Sequence, residues 1–270
     1  MANLKTLKTR IKSVKSTQKM TKAMKMVAAS RLKKSKQLVE SSRPYAEKIS
    51  EMASNLASNI SSKDNFNEKF PLLTGKGKQQ KHLIVRVSSD RGLCGGLNSS
   101  TVKLAKQTIN KLSTEGREVK IFCLGKKAYE QLKTIYGKQI IGQSFGIFKD
   151  IVKYESAGEI AEKLVELFNN NEFDVCQIIY SKFKSAIAQE QKIEQIIPVP
   201  LKVEAANSQA ALKSPMNYEP NEDNILHDLL PENLTIQIYH TLLENSASEQ
   251  GARMAAMEAA AVTAIGTLAI

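Results

Sequence analysis

The chain has 270 residues, 42% of them hydrophobic and 24% charged, which is enough apolar material for one large core or two modest ones and too much for a disordered chain. The formal net charge of +12 is local: residues 1–48 carry fourteen Lys or Arg against Glu40 and Glu47, and the remainder is balanced. Such an arm calls for an acidic partner, whether protein, nucleic acid or membrane surface.

The first 43 residues contain neither Gly nor Pro and predict one long helix. Leu4, Leu7, Ile11 and Val14 begin a heptad. The seam weakens at Gln18 and Thr21 and is expected to resume on a shifted face through Met20, Met24, Val27, Ala28, Leu32 and Leu38 or Val39, as in a nearly straight helix. Lys5, Lys8, Lys12, Lys15, Lys19 and Lys22 form a second stripe beside it. Pro44 predicts a break or kink, with apolar spacing continuing at Tyr45, Ile49, Met52 and Leu56. Residues 61–81 read as a linker.

The pattern then changes. His82–Ser88 and Val119–Leu124 predict buried strands, and Leu97–Leu112 and Lys126–Tyr136 predict helices. Residues 155–170 predict an amphipathic helix with Ile160, Leu164 and Leu167 on one face. Phe173–Tyr180 predicts a third strand and Ile193–Leu201 a fourth. Alternating strands and helices mean an α/β layer with parallel strands. Residues 202–224, with Pro215 and Pro220, read as a second linker. A last helix starts near Ile225 or Glu232, with Tyr239, Leu243, Ala247, Gln250, Met254, Met257, Ala261 and Ile265 recurring at three and four. Nine Ala among the last 24 residues allow close approach of a partner helix, and Gly251 costs that helix about 1 kcal/mol relative to Ala.

A long helix with a narrow apolar seam cannot bury it alone. The economical solution pairs the two terminal helices antiparallel, with the α/β block hung off one end of the rod. The expected division is a discontinuous coiled-coil domain (1–60 and 225–270) around an α/β domain at 82–201.

Chemistry-bearing motifs are sparse. Cys94, Cys123 and Cys176 are scattered, and His82, His227 and His240 make no metal spacing with them, so no metal or cofactor is expected. No stretch approaches the ~18–20 apolar residues of a membrane span. The N-terminus lacks the apolar segment of a signal peptide, and its cations are mostly Lys, which disfavours a transit peptide. Ser88–Asn98 (SSDRGLCGGLN) lies between a strand and a helix, where a phosphate loop would sit, but Gly92, Gly95 and Gly96 do not make GxGxxG. A tight turn exposing backbone to a partner is the favoured reading. Cys94 beside Asp90 and Arg91 has no His near it in sequence and is weak as a nucleophile. The Lys stripe suits a solvated or protein-contacting face better than nucleic acid, because Arg is scarce and aromatics are absent before Tyr45. A basic coiled-coil nucleic-acid binder stays as the alternative.

Three runs go further. Thr17–Lys34 (TQKMTKAMKMVAASRLKK) with SRPYAE at 42–47, Ser88–Asn98, and Gln237–Met257 (QIYHTLLENSASEQGARMAAM) together resemble the γ subunits of F-type ATP synthases over about residues 1–257. The resemblance implies an α/β fold with a long antiparallel coiled coil of N- and C-terminal helices and an inserted Rossmann-like α/β domain. It implies a non-catalytic rotor shaft inside a ring of α and β subunits, seated on the ε subunit and the membrane c ring, with ATP made on β. It places the chain peripherally on the cytoplasmic face of a bacterial inner membrane, with no membrane span of its own and no nucleic-acid partner. By the same resemblance Lys22, Met24 and Lys25, with Glu249, Gln250 and Arg253 on the opposite helix, face acidic loops of β. Asp90, Arg91, Gly92, Cys94, Gly95 and Gly96 correspond to an exposed partner loop. After Met257 the sequence departs from the family by lacking a Lys/Arg-Ala-Arg-Gln stretch, so Leu4, Leu7 and Ile11 are expected to lose much of their partner.

Overall fold

The computed structural model describes residues 4–60, 65–200 and 221–266. The expected linker at 202–224 lies outside the described residues as far as 220, as do residues 61–64 and the end of the apolar tail.

Helix α1 spans Leu4–Ile60 without interruption, a rod of roughly 85 Å. Its seam corrects the expected drift. Buried or half-buried positions alternate by four and three from Val14 through Gln18, Thr21, Lys25, Ala28, Leu32, Ser35, Val39, Ser42, Ala46, Ile49, Ala53 and Leu56 to Ile60. That strict period of 3.5 is the signature of a left-handed supercoil. Met20 and Val27, expected on the seam, are 62% and 57% exposed. Polar residues hold the register because their hydroxyls are satisfied locally: Thr21 Oγ1 donates to the Gln18 carbonyl (3.0 Å) and Ser42 Oγ to that of Val39 (3.1 Å). Pro44 does not break the helix. It faces solvent, and packing of Val39 and Ile49 on either side carries the chain across the missing hydrogen bond.

The expected linker at 61–81 instead contains two short helical turns, α2 (Phe66–Lys69) and α3 (Pro71–Thr74). Phe70 and Leu73 pack with Leu56 and Ile60 of α1, Val199, and Leu226 and Leu230 of the last helix.

A five-stranded sheet follows. Its strands are β1 (Lys81–Val87), β2 (Glu118–Leu124), β3 (Ile140–Ser144), β4 (Val175–Phe183) and β5 (Gln189–Ile197). The order is β3-β2-β1-β4-β5, parallel except for β5, which returns antiparallel to β4. The crossovers are α4 (Leu97–Thr114), α5 (Lys126–Tyr136) and α6 (Tyr154–Asn169). Strand β3 escaped sequence reading: it is five residues of IIGQS on the sheet edge, where Gly142 lies under the Phe122 ring and a Cβ would stand 2.4 Å from it. Strand β5 begins earlier than expected because its first residues are polar, QEQK.

Side chains alternate between the two faces. Ile84, Ile121, Cys123 and Ile179 pack on α4 and α5. Leu83, Val85, Phe122, Leu124 and Ile178 pack on α6 and on α7 (Glu222–Gly266) through Leu234, Ile238 and Leu242. Helix α7 starts three residues before the earlier of its two expected positions, behind Asn221, whose Oδ1 accepts the Asn224 amide at 2.8 Å. It runs antiparallel to α1, with Ser35 Oγ 3.2 Å from Ser246 Oγ and Lys25 paired with Glu258. It therefore belongs to both bodies, sharing the seam with α1 and covering one face of the sheet.

Candidate functional site

Between β1 and β4 the strand order reverses, and the crevice at the carboxyl ends of these strands is where such sheets receive ligands. The loop 88–96 sits there. Here side chains of α7 reach into the crevice. Strand β1 last pairs with β4 at Arg86 and Ile179, so Tyr180–Phe183 overhang. Side chains of α7 take the exposed backbone: Asn245 Oδ1 accepts the Ser181 amide (3.4 Å), Ser248 Oγ donates to the Ser181 carbonyl (2.8 Å), and Glu244 Oε2 accepts the Phe183 amide (2.8 Å). Every residue from Thr241 to Gln250 is buried, because the sheet closes on one side of this segment and α1 on the other.

The loop itself is organised by Asp90. Its carboxylate accepts the amides of Lys126 (3.0 Å), Gly146 (3.1 Å) and Phe148 (3.0 Å), so it caps the start of α5 and pins the segment after β3. Gly125 holds φ +92 where a Cβ would stand 2.4 Å from the Ser88 carbonyl oxygen, so only glycine lets β2 turn into α5 over this loop. Cys94 is buried against Leu97 and Ala252. Asn98 Nδ2 donates to its sulfur at 3.2 Å, and burial pushes its thiol pKa up, the opposite of an activated nucleophile. Arg91, Leu93, Gly95 and Gly96 face solvent, with Leu93 at φ +63.

The expected contact residues divide. Lys22 is exposed, and Met24 and Lys25 are half-buried at the seam. Glu249 and Gln250, expected with Arg253 to face loops of β, are only 2% and 4% exposed in the chain by itself. Glu249 Oε1 accepts Arg253 Nη2 at 2.6 Å, and the same guanidinium nitrogen donates to the Gly92 carbonyl at 3.2 Å. Burial raises the Glu249 pKa, opposed by Arg253. These α7 residues seat the loop rather than present themselves outward.

Sequence reasoning also missed Glu244, Asn245 and Ser248, and Arg86. The signal for the first three was a polar run inside a helix of apolar period. Arg86 is fully buried on the α4/α5 face, donating to the Asn98 carbonyl (3.0 Å), the Lys127 carbonyl (3.2 Å), Thr101 Oγ1 (3.2 Å) and Gln131 Oε1 (2.8 Å). Among the described residues no group of three or more His, Cys, Asp or Glu could hold a metal ion, and no helix is long and apolar enough to cross a membrane.

A two-helix shaft with a basic flank, carrying an α/β head into whose crevice the shaft helix reaches, has the architecture of a stalk subunit. The sequence model of the ATP synthase family matches residues 3–268. The chain belongs to the ATP synthase γ chain family. It is 46% identical over 260 residues to the ATP synthase gamma chain of Pelagibacter ubique and 44% identical over 263 residues to that of Rhodospirillum rubrum, covering 96% of this chain and 87% of each relative. The central stalk in the structure of the Tetrahymena thermophila mitochondrial ATP synthase superposes with a TM-score of 0.66 at 26% identity, covering 89% of this chain and 99% of that one.

Proposed function

We propose that this chain is the central-stalk rotor shaft of an F-type ATP synthase, coupling ion flow through a membrane c ring to ATP synthesis or hydrolysis on a ring of α and β subunits. The observation that carries it is the joint presence of an asymmetric antiparallel shaft and the family sequence over nearly the whole chain. The shaft is not catalytic. Turning inside a threefold ring, it holds three β sites in three different states. The c ring and ε are the partners expected at the head, and the cytoplasmic face of a bacterial inner membrane is the expected location.

Lys22, Met24 and Lys25 are the proposed contact with acidic loops of β, and Arg91, Leu93, Gly95 and Gly96 the exposed part of the partner loop. Exposed ion pairs are worth only about 0–1 kcal/mol each, which suits a contact that must slide. A nucleic-acid-binding coiled coil finds no support among the relatives.

The test is size-exclusion of the chain mixed with α and β subunits, with ATPase activity read across the fractions. One copy per three α and three β, with activity in that peak, is expected. Elution of the chain apart from an active ring overturns the reading.

A further inference from the structure

Torque must cross from the head to the shaft, and the structure offers two routes of very different quality. Helix α1 packs on the head's apolar residues at its carboxyl end, where Leu56 and Ile60 meet Phe70, Leu73 and Val199, but its polar contact with the head is half-exposed: Arg31 Nη1 donates to the Lys149 carbonyl at 3.0 Å, and Nη2 lies 3.9 Å from Asp150 Oδ1. Such a contact is screened and yields easily. Helix α7 is gripped at three separate places on the head. Glu244, Asn245 and Ser248, all buried, bond the overhanging backbone of β4. At Gly251 a Cβ would stand 3.2 Å from both Ala186 Cα and the Phe183 ring, so the β4–β5 hairpin rests on the bare helix backbone. Arg253 holds the Gly92 carbonyl on the far side.

Resting on the rotor reading, we infer that torque passes between head and shaft through α7, by a polar clamp of Glu244, Asn245 and Ser248 on the end of β4, and that α1 is turned by α7 rather than by the head. Apolar contact is non-directional and lets a helix rotate or slide under load. Hydrogen bonds in a dry site are directional and stronger than in water. Two of the clamp residues accept amides and one donates to a carbonyl of the same strand, so the helix is fixed to the strand at three polar points. This explains why a segment that packing alone would make apolar carries the run TLLENSASEQ. It also gives Gly251 a purpose that offsets its cost to the helix.

The experiment is single-molecule rotation of the complex assembled from this chain with α and β subunits. The ring is fixed to glass and a bead is attached to the head through Lys138→Cys, since the three native cysteines are buried. The width of the bead's angular distribution during a stalled dwell reads the compliance of the joint. Glu244→Ala and Ser248→Ala are each expected to raise the angular variance roughly twofold, as if a second soft spring were in series, while ATPase activity of the assembled ring is unchanged. Glu244→Gln keeps an acceptor and behaves as native, and so does Arg31→Ala. Native variance in both clamp variants, or equal broadening in Arg31→Ala or Glu244→Gln, overturns the clamp. If Glu244→Ala fails to assemble, the smaller Ser248→Ala deletion decides. An active complex with the native chain whose bead never rotates overturns the rotor reading instead.

Discussion

Arg86 is a buried cation whose hydrogen-bond partners are all neutral oxygens, on two helices and the turns that start them. Burial lowers its pKa to about 10, so it remains charged at neutral pH. Removing it takes a donor from four oxygens, two of them in fully buried bonds. Arg86→Ala should cost about 2–4 kcal/mol, from acceptors that lose a donor and from the cavity left behind, as read by urea unfolding with an unchanged slope. A cost under about 1 kcal/mol would mean that the layer readily re-pairs. His82 is a second buried group. Its Nε2 lies 2.9 Å from Arg117 Nη1 and accepts from it when neutral. Burial lowers its pKa below the ordinary 6.5 and Arg117 adds to this, while the nearby Gln79 carbonyl and then Asp174 and Glu115 oppose it. The unfolded chain thus takes up the proton first, and the stability present above pH 6.5 is lost as pH falls toward the folded value. Thermal melts at pH 7.5 and 5.5 should show a smaller drop for His82→Gln than for the native chain.

Helix α1 shows how tertiary pairing overrides local preference. Pro44 sits in the middle of a continuous helix, exposed to solvent. A proline in a helix interior is disfavoured by ~3 kcal/mol relative to alanine, and here no burial of Pro44 offsets that cost. Pro44→Ala should therefore stabilise the free chain, by about 1–3 kcal/mol in denaturant unfolding; a loss of stability would reveal a packing role. The amino end of the same helix lies beyond the described part of α7. The register set by Ser35–Ser246 and Lys25–Glu258 brings the end of the described α7 beside Thr17, and Leu4 is 68% exposed. Amide exchange in the isolated chain should be faster at Lys5–Arg10 than at Met24–Leu32. Equal protection would refute that reading.

Because α7 is common to the seam and the sheet, shaft and head are not independent bodies. Leu234, Ile238 and Leu242 belong to the same core as Leu83, Val85 and Ile178, and Leu226 and Leu230 tie α7 to the lower end of α1. Losing α7 from either side exposes the other's core. The isolated chain should unfold from residue 14 onward in one transition, with helical CD and a head-specific probe such as Cys176 reactivity moving together. Two separated transitions would show that the head keeps a core of its own. The same sharing suits the clamp to a drive train, since the helix that the head grips also lines half of the shaft.

Much of this was legible in linear order. Periodicity and alternation are local properties, so the long first helix, the β-α alternation, the strands at 82–88 and 119–124 and the helix at 126–136 could be read residue by residue. The basic arm is a matter of counting, and three sequence runs carried the family. What escaped reading depended on groups far away in the chain. Ser35 looks like a gap in a seam until the antiparallel partner supplies Ser246. The short β3 strand exists because Phe122 lies over Gly142. Glu249 and Gln250 look like surface residues until the head closes over them. Asn245 and Ser248 are explained by Ser181, more than sixty residues away. A polar side chain is buried only where a partner satisfies it, and the identity of that partner is set by the packing of distant segments, which no local pattern encodes.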